Sequence, residues 1–209
     1  MTVIAALDIA TLCGVAIYDT KRHLSAIMTG TINVGAADDD ESAIWERSGI
    51  GEEIVKLRNQ ARELFGQPID FVVIEAKANL PIGRAVASWG NSSELHGAVC
   101  SHLRTMKIPF GTVMPSRWRS AAFPTGFKPP VIQVKKAGKV EDKNDWKTAA
   151  VEKCIELGIQ LPERKAHGRE DAAEAALMAL VWHRATAHGP IGKEAFERLL
   201  KSRHMKEAA

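Results

Sequence analysis

Little in this sequence would cross-link it, carry it through a membrane or divide it. Its 209 residues include three cysteines, Cys13, Cys100 and Cys154, which lie far apart and form no CxxC pair. That argues against a disulfide framework or a cysteine zinc site and points to a reducing cytoplasm. No apolar run approaches the roughly 18 residues of a membrane span, so no membrane partner is expected. No basic region precedes the first apolar stretch, and Asp8 interrupts that stretch, so no signal peptide is expected. Internal repeats are absent, as is any linker long enough to separate two domains.

What is present suits one domain with a core of its own: 45% hydrophobic and 25% charged residues. The net charge is only +3, but residues 115–143 hold seven Lys/Arg and two acids, leaving 21 basic against 23 acidic residues elsewhere. One segment therefore carries the whole positive excess. It is either a contact for a polyanion or a solvated loop. The candidate contacts in and beside it are Arg117, Arg119, Lys128, Lys135, Lys136, Lys139 and, on the following helix, Lys147.

Hydrophobic patterning gives the order β-β-β-α-β-α-β-α-α. "VIAALDI", "GVAIYD" and "LSAIMTGTINV" read as three strands, close enough in sequence to pair antiparallel. The acidic "AADDDES" is a loop, with Ser42 as a cap for a helix from Ile44 to Phe65 that Gly66 ends. "IDFVVIEA" is a strand buried on both faces. "SSELHGAVCSHLRTM" is a helix capped by Ser92 or Ser93, and "IPFGTVM" is a fifth strand. Four prolines and two glycines make residues 115–143 a long irregular segment. "NDWKTAAVEKCIELGI" is a helix capped by Asn144 or Asp145, and "REDAAEAALMALVWHRATAH" is the most strongly helical stretch of all.

Asp8 and Glu75 end buried strands, where α/β sheets place their ligand sites. Asp171 and Glu174, at i and i+3, share one face of the last long helix among alanines small enough for close approach to a sheet. Four carboxylates in one crevice would repel one another unless divalent cations joined them. Mg²⁺ and Mn²⁺ prefer such oxygen ligands, and a pair of these ions is the arrangement that cleaves phosphodiesters. Taken singly, each acid is also a cap, a solvated helix residue or a strand end.

In this order, "LDIATLCGVAIYD", "FVVIEA" and "REDAAEAALMAL" resemble the three acidic motifs of RuvC-type Holliday junction resolvases, members of the RNase H-like superfamily. The resemblance runs from about residue 3 to residue 185 and is closer to phage-type members than to the bacterial housekeeping type. It implies a mixed five-stranded sheet, its first three strands antiparallel, with helices on both faces. It also implies a nuclease domain over residues 1–189 with a helical tail over 190–209, a homodimer, and paired nicks in four-way DNA. The metal-binding, catalytic carboxylates would be Asp8, Glu75, Asp171 and Glu174. The sequence departs from the family at Asp-Ile-Ala, where Asp-Pro-Gly is common, and at Glu174, where Asp is usual; Glu170 competes for the last position.

Several residues keep two readings. Lys147 touches the scissile phosphate or is a solvated helical lysine. His167 assists a water or lies near a cap. Trp118 and Phe123, interleaved with arginines, stack on unpaired bases or form a satellite hydrophobic cluster. Asn79 and Leu80, in "ANLPIGR", are candidates to enter a junction centre, and the helix at 92–106 is a dimer face or part of the protomer's own core. Rival functions are a sugar kinase or actin relative, a branched-DNA binder that does not cut, and a nuclease for RNA–DNA hybrids or replication forks. A kinase would need a second domain and a Gly-rich adenosine loop, and neither is found.

Overall fold

The computed structural model describes residues 2–34, 49–76, 86–136, 139–163 and 168–187. Five strands form one mixed sheet in the order β3-β2-β1-β4-β5: β1 (Val3–Asp8), β2 (Leu12–Asp19), β3 (Met28–Asn33), β4 (Phe71–Glu75) and β5 (Phe110–Val113). The first three are antiparallel neighbours, as expected, and β4 and β5 join β1 in parallel. The helices are α1 (Ile50–Phe65), α2 (Val86–Thr105), α3 (Pro115–Ala122), α4 (Trp146–Glu156) and α5 (Arg169–Ala187).

Side chains alternate across a strand, and β1 sorts its residues accordingly. Val3, Ala5 and Leu7 join Ile54, Leu57, Ala61, Val99 and Leu103 in a core of α1 and α2 on one face. Ile4 and Ala6 join α4 and α5 on the other. The α5 face is made of small residues: Ala6 and Ala16 of the sheet, and Ala173, Ala175, Ala176 and Ala179 of the helix, all buried. Little side-chain bulk separates backbone from backbone there. By the alternation, Asp8 falls on this same face.

Two glycines complete the fit. A Cβ at Gly14 would collide with the backbone carbonyl of Asp171, so α5 rests directly on β2. Gly168, at φ +69, supplies the left-handed residue before α5, and a Cβ there would strike Thr31 of β3.

Some expectations need correction. Residues 115–143 are not irregular: they hold α3 and most of an antiparallel hairpin, β6 (Val131–Lys136) and β7 (Lys139–Asn144), apart from the main sheet. Pro115 occupies the first turn of α3, where a missing N–H costs nothing, so it starts a helix instead of breaking one. The third strand begins at Met28, after a 3₁₀ turn over Leu24–Ala26. α2 begins six residues before Ser92, making both serines interior positions; serine costs a helix little there, and packing outweighs it. Gly66 and Asp145 cap as expected, Gly66 at φ 73 and Asp145 accepting from the Thr148 amide. Ser42, positions 44–48, Asn79, Leu80, His167 and the 190–209 tail lie outside the described residues, and the first helix, expected from Ile44, starts at Ile50 with Gly49 as its N-cap.

Candidate active site

The parallel register aligns Leu7 with Ile74, which sets Asp8 and Glu75 side by side at the carboxyl ends of β1 and β4. The first two turns of α5, seated by Gly14 and Gly168, bring in Asp171 and Glu174. Carboxylate oxygens of Asp8, Asp171 and Glu174 lie within 4.8 Å of one another, a spacing that suits a shared cation. Glu75 stands beside this trio, close enough for its charge to act on both Asp8 and Glu174. Its Oε1 accepts a 2.7 Å hydrogen bond from the Trp118 indole N–H.

Burial and like charge raise the proton affinity of the crevice. Asp8 is 9% exposed. Its pKa is pushed up to about 8, first by burial and then by Glu75, Glu174 and Asp171, with Lys147 opposing. Glu174 is also raised, by burial and by Glu75, against the pull of Arg119. The donors are all hard oxygens, Asp8 and Glu174 buried and Asp171 and Glu75 partly so, and that mutually repelling set fits Mg²⁺ or Mn²⁺ better than a softer ion.

Two cations close the crevice. Lys147, on the first turn of α4, donates to Oδ1 of Asp171. Burial works against its ammonium, but the Asp171 hydrogen bond and the charges of Asp171, Glu174 and Asp8 outweigh that and raise its pKa. Arg119 of α3 bonds Oε1 of Glu174 at 3.0 Å. Its guanidinium lies 5.1 Å from the Trp118 ring and 5.3 Å from that of Trp146.

This geometry redistributes the candidates of the basic segment. Arg119 faces into the crevice and is a partner of Glu174, not a free surface cation. Arg117, Lys128 and Lys135 are exposed; Lys136 and Lys139 lie on the hairpin strands, their side chains outside the described residues. Trp118 is fully buried and holds Glu75, so it is not available to stack on a base. Phe123 is 7% exposed and packs on Phe127 and Trp146, as the hydrophobic-cluster reading anticipated. Leu95, Val99 and Leu103 of α2 are spent on the protomer's own core. Sequence reasoning missed the Trp118–Glu75 and Arg119–Glu174 contacts. The one available signal was Pro115 as a helix start, which sets Trp118 and Arg119 on a helix directly after β5.

The sheet order, the crossing helices and the carboxylates at the strand ends define an RNase H-like fold of the RuvC kind. The structure of Thermus thermophilus RuvC in complex with Holliday junction substrate is similar at TM-score 0.58 and 14% identity, over 88% of this chain and 95% of that one. Thermus thermophilus RuvC in a further structure gives 0.53 and 15%, over 90% and 97%. The yeast mitochondrial Holliday junction resolvase Ydc2 gives 0.50 and 14%, over 96% and 84%. No family model and no curated protein matches the sequence. Among the described residues, no helix is long and apolar enough to cross a membrane.

Proposed function

We propose that the chain is a metal-dependent, structure-selective DNA endonuclease that nicks branched DNA, four-way junctions foremost. The carrying observation is the trio Asp8, Asp171 and Glu174 with Glu75 beside it, on a fold shared with two resolvases. Asp8, Asp171 and Glu174 would hold Mg²⁺ or Mn²⁺, with Glu75 completing a site for a second ion. Bound there, the ions supply a water of lowered pKa and a neutralised leaving oxygen.

The chain's own residues prepare that chemistry. Trp118 fixes one Glu75 oxygen, so the strand-end carboxylate does not swing away from Asp8. Arg119 and Lys147 offset negative charge that would otherwise repel a phosphodiester. Lys147, half exposed on the crevice rim, is placed to leave Asp171 for a phosphate oxygen. Arg117, Lys128 and the hairpin lysines extend the contact along the backbone. A homodimer would match the near two-fold symmetry of two scissile strands. The proposal includes the phage-type branch, on the likeness of the three motifs.

The test is a nicking assay on synthetic four-way, three-way, flap and plain duplex DNA and an RNA–DNA hybrid, with and without Mg²⁺. Paired nicks in the four-way substrate that vanish with chelator are expected. Cleavage that survives the chelator, or duplex cut as fast as a junction, would sink the reading. Light scattering with junction present should give a dimer, and a monomer alone would remove that part.

A further inference from the structure

A cleft of about 650 Å³ opens beside the carboxylate crevice, on the far side of Arg119. We infer that it takes one nucleobase turned out of the DNA stack, from the strand whose phosphate lies at the carboxylates. The inference rests on the nuclease reading above.

Four features favour a base. The walls are aromatic: Phe123 and Phe127 stack at 4.5 Å, and Trp146 lies 5.6 Å from the first and 6.1 Å from the second. Phe127 remains 36% exposed, a large ring held at the surface by its neighbours yet open to another flat ring. The lining also offers polar groups for a base edge. Ser116 and Ser120 contribute hydroxyls. Position is the third feature: Arg119 lines the cleft while its terminal nitrogen holds Glu174, so one side chain separates cleft from crevice. Finally, Arg117 and Lys128 stand exposed on the segments that frame the cleft, matching a phosphate-bearing occupant better than an apolar peptide. Such a pocket reads aromatic faces and tolerates sequence, because every base has a π-face. It would favour substrates that already hold unpaired or easily unstacked bases, and a junction branch point is one.

The experiment uses the full chain with Ca²⁺ in place of Mg²⁺ and a labelled four-way junction carrying 2-aminopurine at successive positions around the branch point. Protein should change the fluorescence at one or two positions only. Phe127→Ala should abolish that change and weaken junction binding roughly 5- to 150-fold, with the salt slope unaltered because the ring neutralises no phosphate. Phe127→Trp should restore both. A wild-type protein that binds the junction with no response at any position overturns the inference and leaves the nuclease reading standing. Failure to bind any branched DNA overturns both. A Phe127→Ala protein that keeps the signal, or whose defect Phe127→Trp does not repair, shows the ring to be structural and overturns it. So does a change of Phe127→Ala from dimer to monomer, which would make a second copy the occupant.

Discussion

At the ends of β1 and β4, each carboxylate is buried or held by a named partner; on the β6–β7 hairpin, Lys135, Glu141, Asp142 and Lys143 stand in solvent. The crevice draws its carboxylates from three strand and helix ends, locked by small-residue packing. The hairpin is two six-residue strands outside the main sheet, with Val131, Ile132 and Val140 exposed at 60%, 41% and 56%. Two strands alone are marginal in water. This pair is tied at its base, where the Asp145 amide meets the Pro130 carbonyl and Trp146 joins the aromatic cluster. The difference separates two demands. Holding a cation needs oxygens fixed to fractions of an ångström, whereas attracting a polyanion needs charge that can reach.

The strongest way to break this comparison is to change the crevice and watch binding. Asp8→Asn or Asp171→Asn should lower cleavage at least ~100-fold, the upper end of what mere supporting partners of a metal site cost. Junction binding in gel-shift titrations should survive or tighten, since the amide keeps the shape and removes repulsion. Loss of binding in parallel with cleavage would mean the carboxylates are structural.

The next test concerns packing. Gly14→Ala pushes a methyl into the Asp171 carbonyl and should cost about 1–3 kcal/mol in urea denaturation, with cleavage falling further as α5 shifts. Gly30→Ala, on β3 with nothing within 4 Å, is the control and should stay within about 0.5 kcal/mol. Equal effects would deny the close approach its special role.

Charge reversal sharpens the hairpin side. Replacing Lys135, Lys136, Lys139 and Lys143 by Glu should weaken junction binding and reduce the log–log salt slope by about 0.9 for each phosphate no longer neutralised. Turnover of saturated complex should change little. An unchanged slope would make the hairpin a solvated appendage.

The smallest effect is on stability against pH. Asp8 has a folded pKa of about 8 against an ordinary value of 3.8, so between those values the folded state binds more protons than the unfolded one. Cation-free protein should therefore lose thermal stability as pH rises through that window, by roughly 5 °C or more. Asp8→Asn should flatten the decline, and Mg²⁺ should oppose it by binding only the folded chain. A Tm that climbs with pH in chelator would contradict the buried, repelling cluster.

Much of this was open to reading in one dimension. The β-branched run before Glu75, the alanine-rich helix around Asp171 and Glu174, and the glycine and aspartate caps are local signals that survive packing. The hairpin was not legible, because its strands are rich in lysine and preceded by prolines, so alternation hid inside what looked like a charged loop. Nor could spacing reveal that Trp118 and Arg119 serve Glu75 and Glu174. Those contacts span 43 and 55 residues and exist only once α3 follows β5 back across the sheet.

The seating of α5 on Gly14 also sets an order of events during synthesis. The carboxylates come from residues 8, 75, 171 and 174, and the last two reach Asp8 only by laying α5 against β2. A ribosome-bound chain stopped before residue 171 has a sheet to fold and half of the acids, and no third or fourth ligand to bring. The crevice is therefore timed by chain growth: its four acids stand together only once α5 has been made and laid against the sheet.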